Sequence, residues 1–424
     1  MRIHRLPRAF LRYGQIHREQ WLSPEELDRR QWRRFQEILR HAFQNCRFYR
    51  ERFERAGITP DDVRERRDID RIPVTTREDL RKPANLLSAG RRPEKMESST
   101  TSGSEGRRTI AYFDRDAWLL GKHLLKLRAR LACGVRPWDR VALLQEGSEA
   151  NKGTSRPLVR AASFSIERPE SEILPALLLF KPTVLYGFPS FLLRLSEAGV
   201  ARLRPRLIFT SGEMLGPGAR RTIERSFGAT VYDIYGSTEV KEISWECPRR
   251  RGYHINADWL LLETPGAESG DGRPGKELLV TSLYNFGMPL IRYRLGDTGR
   301  LLEESCPCGR SLPLMMPVLG RSVDYFSCPD GTAVAPYALT GAVEKVEGVA
   351  QYRIVQEQTD RVVVSVIPAF EFDESKAEEI RRALSPLLPG VHVTIVAVEM
   401  IARDASGKYR IVESRIRANG RSDG

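Results

Sequence analysis

At 424 residues, 41% hydrophobic and 29% charged, the chain has the composition of a globular protein with room for two or three domains, which excludes a disordered or membrane-embedded chain. No apolar run approaches the roughly 20 residues of a spanning helix, and the N-terminus lacks the apolar core of a secretory signal, so the expected compartment is the cytoplasm. The formal charge of +13 suits nucleic acid, an anionic membrane surface or anionic small molecules, but its arginines are mixed with acids, as over 64–71, in the manner of a solvated surface.

Ser23-Pro24-Glu25-Glu26 is a capping box with proline at the first helical position, and it predicts a helix to about Asn45. Phe35, Ile38, Leu39, Ala42 and Phe43 follow helical spacing and read as a stripe facing the core. Pro60 and Pro73 punctuate the next stretch of chain, and a second helix is predicted near Thr76–Arg81. The stretch from Ser98 to Arg108 then packs hydroxyls around Gly103 and Gly106, so that backbone N–H groups and short side chains can converge on a phosphate. It lacks the Gly-Lys-Ser/Thr ending of the common P-loop. Alone, such a cluster is more often an ordinary flexible loop.

From Asp114 onward, helical patterns alternate with short apolar runs. Val141–Leu144, Thr183–Leu185, Leu207–Phe209 and Val231–Ile234 read as buried strands, with helices at Pro189–Ala198 and Gly218–Phe227. That alternation predicts an α/β fold with a largely parallel sheet, whose ligands sit beyond the carboxyl ends of the strands. Two segments fall there: Ser211-Gly212-Glu213 and Tyr235-Gly236-Ser237-Thr238-Glu239. Ala257–Leu262 and Glu277–Leu283 read as strands around a glycine-rich turn at Gly270–Gly275. After Gly320-Arg321 the pattern resets: strands at Arg353–Gln356, Arg361–Ile367 and Val391–Val398, with a helix over Asp373–Leu387, form a compact α+β unit ending in Ser406-Gly407-Lys408.

Six cysteines in so long a chain do not make a disulfide framework, and Cys46, Cys133 and Cys328 read as buried small hydrophobes. Cys247, His254, Cys306 and Cys308 form a set that a tetrahedral zinc ion prefers. The Cys-Pro-Cys spacing is tighter than the usual two-residue knuckle, and the residues alone leave a zinc site and a buried thiol cluster both open.

The order of these motifs resembles that of the adenylate-forming acyl and aryl ligases, within them the phenylacetate–coenzyme A ligase and CapK-like branch. The motifs are the hydroxyl-glycine loop, Ser-Gly-Glu, Tyr-Gly-Ser-Thr-Glu, Tyr293-Arg294-Leu295-Gly296-Asp297, Gly320-Arg321 and Ser406-Gly407-Lys408. The lead-in segments 18–23 and 48–51 take part as well. The resemblance implies an N-terminal adenylation domain over 1–320, with a helical lead-in over 1–90 and a β-rich, zinc-bearing part over 245–320. A hinge over 321–324 and a small mobile α+β domain over 325–424 would complete it. It also implies the activity: a carboxylic acid is activated by ATP as acyl-AMP and transferred, foremost to coenzyme A, and otherwise to an amine, a hydroxyl or a carrier-protein thiol.

By the same resemblance, Thr101, Ser102, Gly103, Ser104 and Gly106 would hold the β- and γ-phosphates of ATP. Glu239 would bind Mg²⁺, and Thr238 would lie near the α-phosphate. Tyr235 and Gly236 would line the adenine, with Ser211, Gly212 and Glu213 as its other wall. Asp297 would take the ribose hydroxyls, Arg321 the ribose or phosphate at the hinge, and Lys408 would bridge carboxylate and α-phosphate. Relatives carry the Cys/His/Cys/Cys set, which favours structural Zn²⁺ at Cys247, His254, Cys306 and Cys308. The implied partner is a small-molecule acid, with no nucleic acid and no membrane; dimerisation is expected on the resemblance alone. A basic, non-catalytic nucleic-acid-binding protein is the remote alternative raised by the charge. Three departures stand out: Glu105 in the phosphate loop, Val323 where relatives have a hinge Asp, and the polar run Gln145–Lys152 where relatives have an apolar acyl pocket. The last of these points to a polar substrate rather than phenylacetate.

Overall fold

The computed structural model describes residues 6–100, 109–145, 160–200, 202–265, 275–321, 324–368, 372–402 and 409–416. The predicted phosphate loop at 101–108, the polar run from 146, Val323 and Lys408 lie outside the described residues, as does the turn over 266–274.

Ser23 accepts a hydrogen bond from the N–H of Glu26 at 3.1 Å and caps the helix Pro24–Asn45, whose Phe35, Ile38, Leu39 and Ala42 are fully buried. This lead-in, continued by the helix Arg47–Arg55, is bolted to the rest of the chain: Gln31 donates to the Leu260 carbonyl at 2.9 Å and Tyr49 to that of Pro289 at 3.1 Å. The helix predicted near Thr76–Arg81 is instead a single 3₁₀ turn, Asp79–Arg81. Thr76 and Asp79 exchange hydrogen bonds that cap it, but Pro83 follows too soon for a helix to propagate.

Five parallel strands form the centre, in the order Arg160–Ser165, Arg140–Gln145, Val184–Gly187, Leu207–Ser211 and Thr230–Ser237. Alternate residues feed two cores, which is why their apolar runs are nearly continuous. Ala142, Leu144, Leu185, Ile208 and Val231 pack under the helices Glu170–Phe180, Pro189–Glu197 and Pro217–Phe227. Val141, Val184, Phe209 and Ile234 pack on the other face with Ala129 of the helix Leu125–Ala132. The strand at 160–165 and the helix at 170–180 escape the sequence pattern, the first because it is a half-exposed edge of mixed polarity and the second because Pro175 interrupts it.

The sheet continues antiparallel through Lys241–Glu246, Tyr253–Ile255, Leu314–Met315 and Leu301–Leu302. A second, antiparallel sheet runs Leu260–Glu263, Lys276–Ser282, Tyr293–Gly299 and Gly320–Arg321. The strand predicted from Ala257 therefore starts at Leu260: the Trp259 N–H closes a turn on Asn256, and Asp258 is fully buried against Arg128. Beyond it, Val349–Gln358, Arg361–Pro368, His392–Ala397 and Val412–Ser414 form a four-stranded sheet with the helices Pro336–Val343 and Glu374–Leu384, around a core that includes Leu339, Ile354, Val364 and Ile380. Cys46, Cys133 and Cys328 are buried, as expected. No described helix is long and apolar enough to cross a membrane.

Candidate active site and cysteine–histidine cluster

The carboxyl ends of the strands Leu207–Ser211 and Thr230–Ser237 meet the second sheet, and there most of the described site residues assemble. Tyr235 donates its hydroxyl to Asp297 Oδ2 at 2.7 Å, linking the two sheets, and Asp297 pairs in register with Arg321. Burial raises the Asp297 carboxyl above its ordinary range, against the opposing pull of the Tyr235 hydrogen bond. Glu239 is buried and its Oε1 accepts from the Tyr293 hydroxyl at 3.1 Å.

The turn that presents Glu239 is built locally. Ser237 Oγ accepts from the N–H groups of Glu239 and Val240, each at 3.2 Å, and the Lys241 ammonium donates to the Thr238 carbonyl at 2.8 Å. Lys241 sits at φ 62°, and a Cβ on Gly236 would lie 2.4 Å from its carbonyl oxygen, so glycine is what allows the strands to close here. The helix that opens at Arg115 passes through a π-turn at Leu119–Leu124 beside this turn: a Cβ on Gly121 would lie 3.1 Å from Lys241 Cγ and 2.5 Å from the Tyr284 hydroxyl. Burial, reinforced by Lys122, lowers the Lys241 ammonium to about 7.

Ser211 ends its strand, and Gly212 follows at φ 86° with its α-carbon against the Phe188 ring. Glu213 accepts from the N–H and the hydroxyl of Ser190, both at 3.0 Å, and from the backbone N–H of Tyr409 at 3.3 Å. The chain next to Lys408 thus docks on the wall expected beside the adenine. A second contact joins the same regions: Glu344 accepts from the Gly218 N–H at 2.6 Å, at the start of the helix Pro217–Phe227. Asp324 forms an ion pair with Arg410.

Cys247, His254, Cys306 and Cys308 come together, with all four ligand atoms within 4.8 Å of one another. The ladder does this: His254 pairs with Trp245 on one side and Leu314 on the other, while Cys247 follows the strand Lys241–Glu246 and Cys306 lies beyond the strand Leu301–Leu302 at the edge of the same sheet. Cys247 Sγ lies 3.4 Å from Cys306 Sγ, and His254 Nε2 lies 3.2 Å from Cys308 Sγ. A tetrahedral zinc with bonds of about 2.0–2.3 Å has ligand–ligand edges of roughly 3.3–3.8 Å, so these contacts suit it. His254 Nδ1 lies 3.0 Å from the Leu312 carbonyl, which fixes the proton there and turns Nε2 to the sulfurs. Burial lowers His254 to about 4, leaving the ring neutral, and raises the Cys247 thiol to about 12.

Sequence reasoning missed Asp233, Tyr293 as a partner of Glu239, Ser190 and Lys241. Asp233 accepts from Thr210 and, at 3.0 Å, from the Tyr253 hydroxyl; burial raises it to about 6. Its position in an apolar run was the available signal.

The family profile of the CapK C-terminal domain matches residues 326–415. The phenylacetate–coenzyme A ligase of Escherichia coli (strain K12) is 30% identical over 351 residues, covering 77% of this chain and 78% of that one. The chain belongs to the phenylacetate–coenzyme A ligase family. The indoleacetate–lysine synthetase of Pseudomonas savastanoi is a further relative of this ligase, 27% identical over 222 residues, covering 50% of this chain and 52% of that one. A 2-hydroxyisobutyryl-CoA ligase in the postadenylation state, with its acyl-AMP bound, shares the ligase's fold at a TM-score of 0.78 and 22% identity, covering 94% of this chain and 92% of that one.

Proposed function

We propose that this protein is a cytoplasmic AMP-forming acid–thiol ligase: it condenses a carboxylic acid with ATP to acyl-AMP and pyrophosphate, and coenzyme A then displaces AMP. The observation that carries this reading is the convergence of Tyr235, Asp297, Arg321 and Glu239 at the carboxyl ends of the parallel strands, in a chain of this family. An attack on phosphorus asks a protein mainly for positioning and charge stabilisation. Asp297 would accept from the ribose hydroxyls, with Tyr235 holding its carboxylate in place. Glu239, aimed by Tyr293, is a hard oxygen ligand suited to Mg²⁺, which would neutralise the phosphates when bound. Ser211, Gly212 and Glu213 would wall the adenine.

Thr101, Ser102, Gly103, Ser104 and Gly106 would grip the outer phosphates, and Lys408 would bridge the attacking carboxylate and the α-phosphate. The Tyr409–Glu213 contact supports that role, since it brings the neighbour of Lys408 to the adenine wall. A small domain over 325–424 would turn about 321–324 between adenylation and transfer, and the Glu344–Gly218 hydrogen bond would have to break as it does. Structural Zn²⁺ at Cys247, His254, Cys306 and Cys308 would clamp the strand after Glu239 to the segment after Asp297. Similarity to an indoleacetate–lysine synthetase favours an amine acceptor as the second reading.

The test is ATP–pyrophosphate exchange with a panel of carboxylic acids, followed by product masses with and without coenzyme A. Exchange that depends on an acid and on Lys408, with a thioester formed when the thiol is present, is the expected result. A panel on which no acid supports exchange overturns the reading, and an amide formed in place of the thioester moves it to the second acceptor.

A further inference from the structure

The helix Pro336–Val343 is fastened at both ends to elements outside its own four-stranded sheet. At its start, the Tyr337 N–H donates to the Leu319 carbonyl at 3.0 Å, and a Cβ on Gly320, which sits at φ 124°, would lie 2.5 Å from Pro336 Cγ. At its far end, about 12 Å away by the rise of its 8 residues, Glu344 reaches the start of the helix Pro217–Phe227. Glu344 Oε2 accepts from the Gly218 N–H at 2.6 Å, and Oε1 accepts from the Tyr352 hydroxyl at 2.9 Å. The Gly218 amide belongs to the first helical turn, where an N–H has no partner within the helix and the helix dipole favours a negative group.

Two glycines make room for this carboxylate. A Cβ on Gly216 would collide with Glu344 Oε1, and one on Gly218 would lie 2.5 Å from Glu344 Cβ. Gly216 sits at φ −71° and Gly218 lies in a helix, so the backbone conformation of neither requires glycine; the space taken by Glu344 does. The contact also closes a ring. Tyr352, whose hydroxyl meets Glu344, accepts at its carbonyl from the Tyr409 hydroxyl, and the Tyr409 N–H donates to Glu213 Oε1 at 3.3 Å. Glu213 and Gly218 lie on one segment beyond the strand Leu207–Ser211, so the C-terminal unit grips that segment at two points, which Tyr352 joins on its own side.

Under the adenylation reading, on which this inference rests, Tyr409 matters because it follows Lys408. A turn of the small domain about 321–324 would leave the Pro336 end of the helix close to the pivot and swing the Glu344 end. We propose that Glu344 is a positioning residue for adenylation: its carboxylate latches the small domain to the start of the helix Pro217–Phe227 and, through Tyr352, sets Tyr409 and the lysine before it at the Glu213 wall. It touches no reacting group, and its release frees the domain for the transfer step.

The test separates the two half-reactions in the full-length protein: pyrophosphate exchange without coenzyme A, with the acid on which the wild type turns over fastest, and thioester formation from the chemically prepared acyl-AMP of that acid. Glu344→Ala and Gly218→Ala should each lower the kcat of pyrophosphate exchange by about tenfold, the size of one lost hydrogen bond to a charged group, with the KM for ATP and acid little changed. Thioester formation from acyl-AMP should hold or rise. Glu344→Gln keeps an acceptor and should recover part of the loss. Gly218→Ala attacks the contact from the opposite side and puts a good helix former into a helix, so its effect is not one of folding; combined with Glu344→Ala it should cost no more than either change alone. Deuteration of the Gly218 amide, followed by mass spectrometry of the peptide that contains it, should quicken in Glu344→Ala with no substrate present. Pyrophosphate exchange by both alanine variants within about twofold of wild type, or an equal loss in both half-reactions, overturns the inference and leaves the adenylation reading intact. Unchanged amide deuteration in Glu344→Ala overturns it as well. Absence of pyrophosphate exchange by the wild-type protein with every acid overturns the adenylation reading and this inference with it.

Discussion

On one side of the Ser237–Lys241 turn, phenols hold carboxylates: Tyr235 on Asp297 at 2.7 Å and Tyr293 on Glu239 at 3.1 Å. On the other, aromatic faces hold cations: Phe113 under Lys241 at 4.6 Å and Tyr186 under Lys126 at 4.5 Å. A phenol orients an anion without cancelling its charge, and a ring face does the same for an ammonium. The first side therefore gathers carboxylates held by phenols, whereas on the second Lys126 is also paired with Glu242 Oε1 at 3.2 Å. On the proposed function, the anionic side would take the ribose hydroxyls and a metal ion. What separates them is a turn of five residues closed by one serine hydroxyl and one lysine.

The sharpest break in this contrast is Glu239→Gln, which keeps the shape and the Tyr293 contact but removes the negative charge. It should lower pyrophosphate exchange by about 100-fold with every acid, since it removes electrostatic stabilisation shared by all of them. Retention of full exchange would take the metal away from Glu239. Next in size is the cysteine–histidine cluster, whose Cys247 directly follows the strand after the Glu239 turn. Elemental analysis should find one zinc per chain, and a strong chelator should lower the unfolding midpoint by about 5 °C or more and raise the KM for ATP more than that for the acid. An unchanged midpoint after metal removal would reduce the cluster to a set of buried thiols.

Asp297→Asn is a finer probe. On the proposed role of Asp297 it would weaken charge-assisted hydrogen bonds to the ribose, and it should raise the KM for ATP by about tenfold while leaving that for the acid unchanged. A rise in both would mean that the two sides are not independent. The smallest effect concerns Asp233, which underlies the turn's strand. Burial raises its folded pKa to about 6 from an ordinary 3.8, so the native state holds this proton more tightly than the unfolded chain. Its favourable contribution is complete below about pH 4 and is lost as the pH rises through 6. Asp233→Asn should remove on the order of 1 kcal/mol of that decline, measured as unfolding free energy between pH 4 and 7.

Much of the site was legible before any coordinates, for a physical reason: its motifs are local. The Ser23 cap, the Tyr-Gly-Ser-Thr-Glu turn and the Cys-Pro-Cys-Gly turn, closed by the Gly309 N–H on the Cys306 carbonyl at 3.1 Å, depend on neighbours within a few residues. Burial of both faces of the parallel sheet is likewise written in continuous apolar runs. The partners were not legible. Nothing in the spacing of Tyr293 and Glu239, 54 residues apart, says that the hydroxyl of one reaches the carboxylate of the other, because that depends on how two sheets abut.

The amino-acid sequence by itself determined the class of chemistry, the order of the candidate site motifs and the four-residue set of soft ligands, since each is a matter of residue type and short spacing. The sequence analysis assigned no role to Lys122, Lys126 and Arg130. Only the tertiary structure set these cations against Tyr186, Lys241 and Glu242, across 56 to 120 residues of chain, where Lys126 pairs with Glu242 and both Lys126 and Arg130 lie over the Tyr186 ring. The physical reason is that a charge acquires a role from what surrounds it in space, and long-range packing alone decides those surroundings.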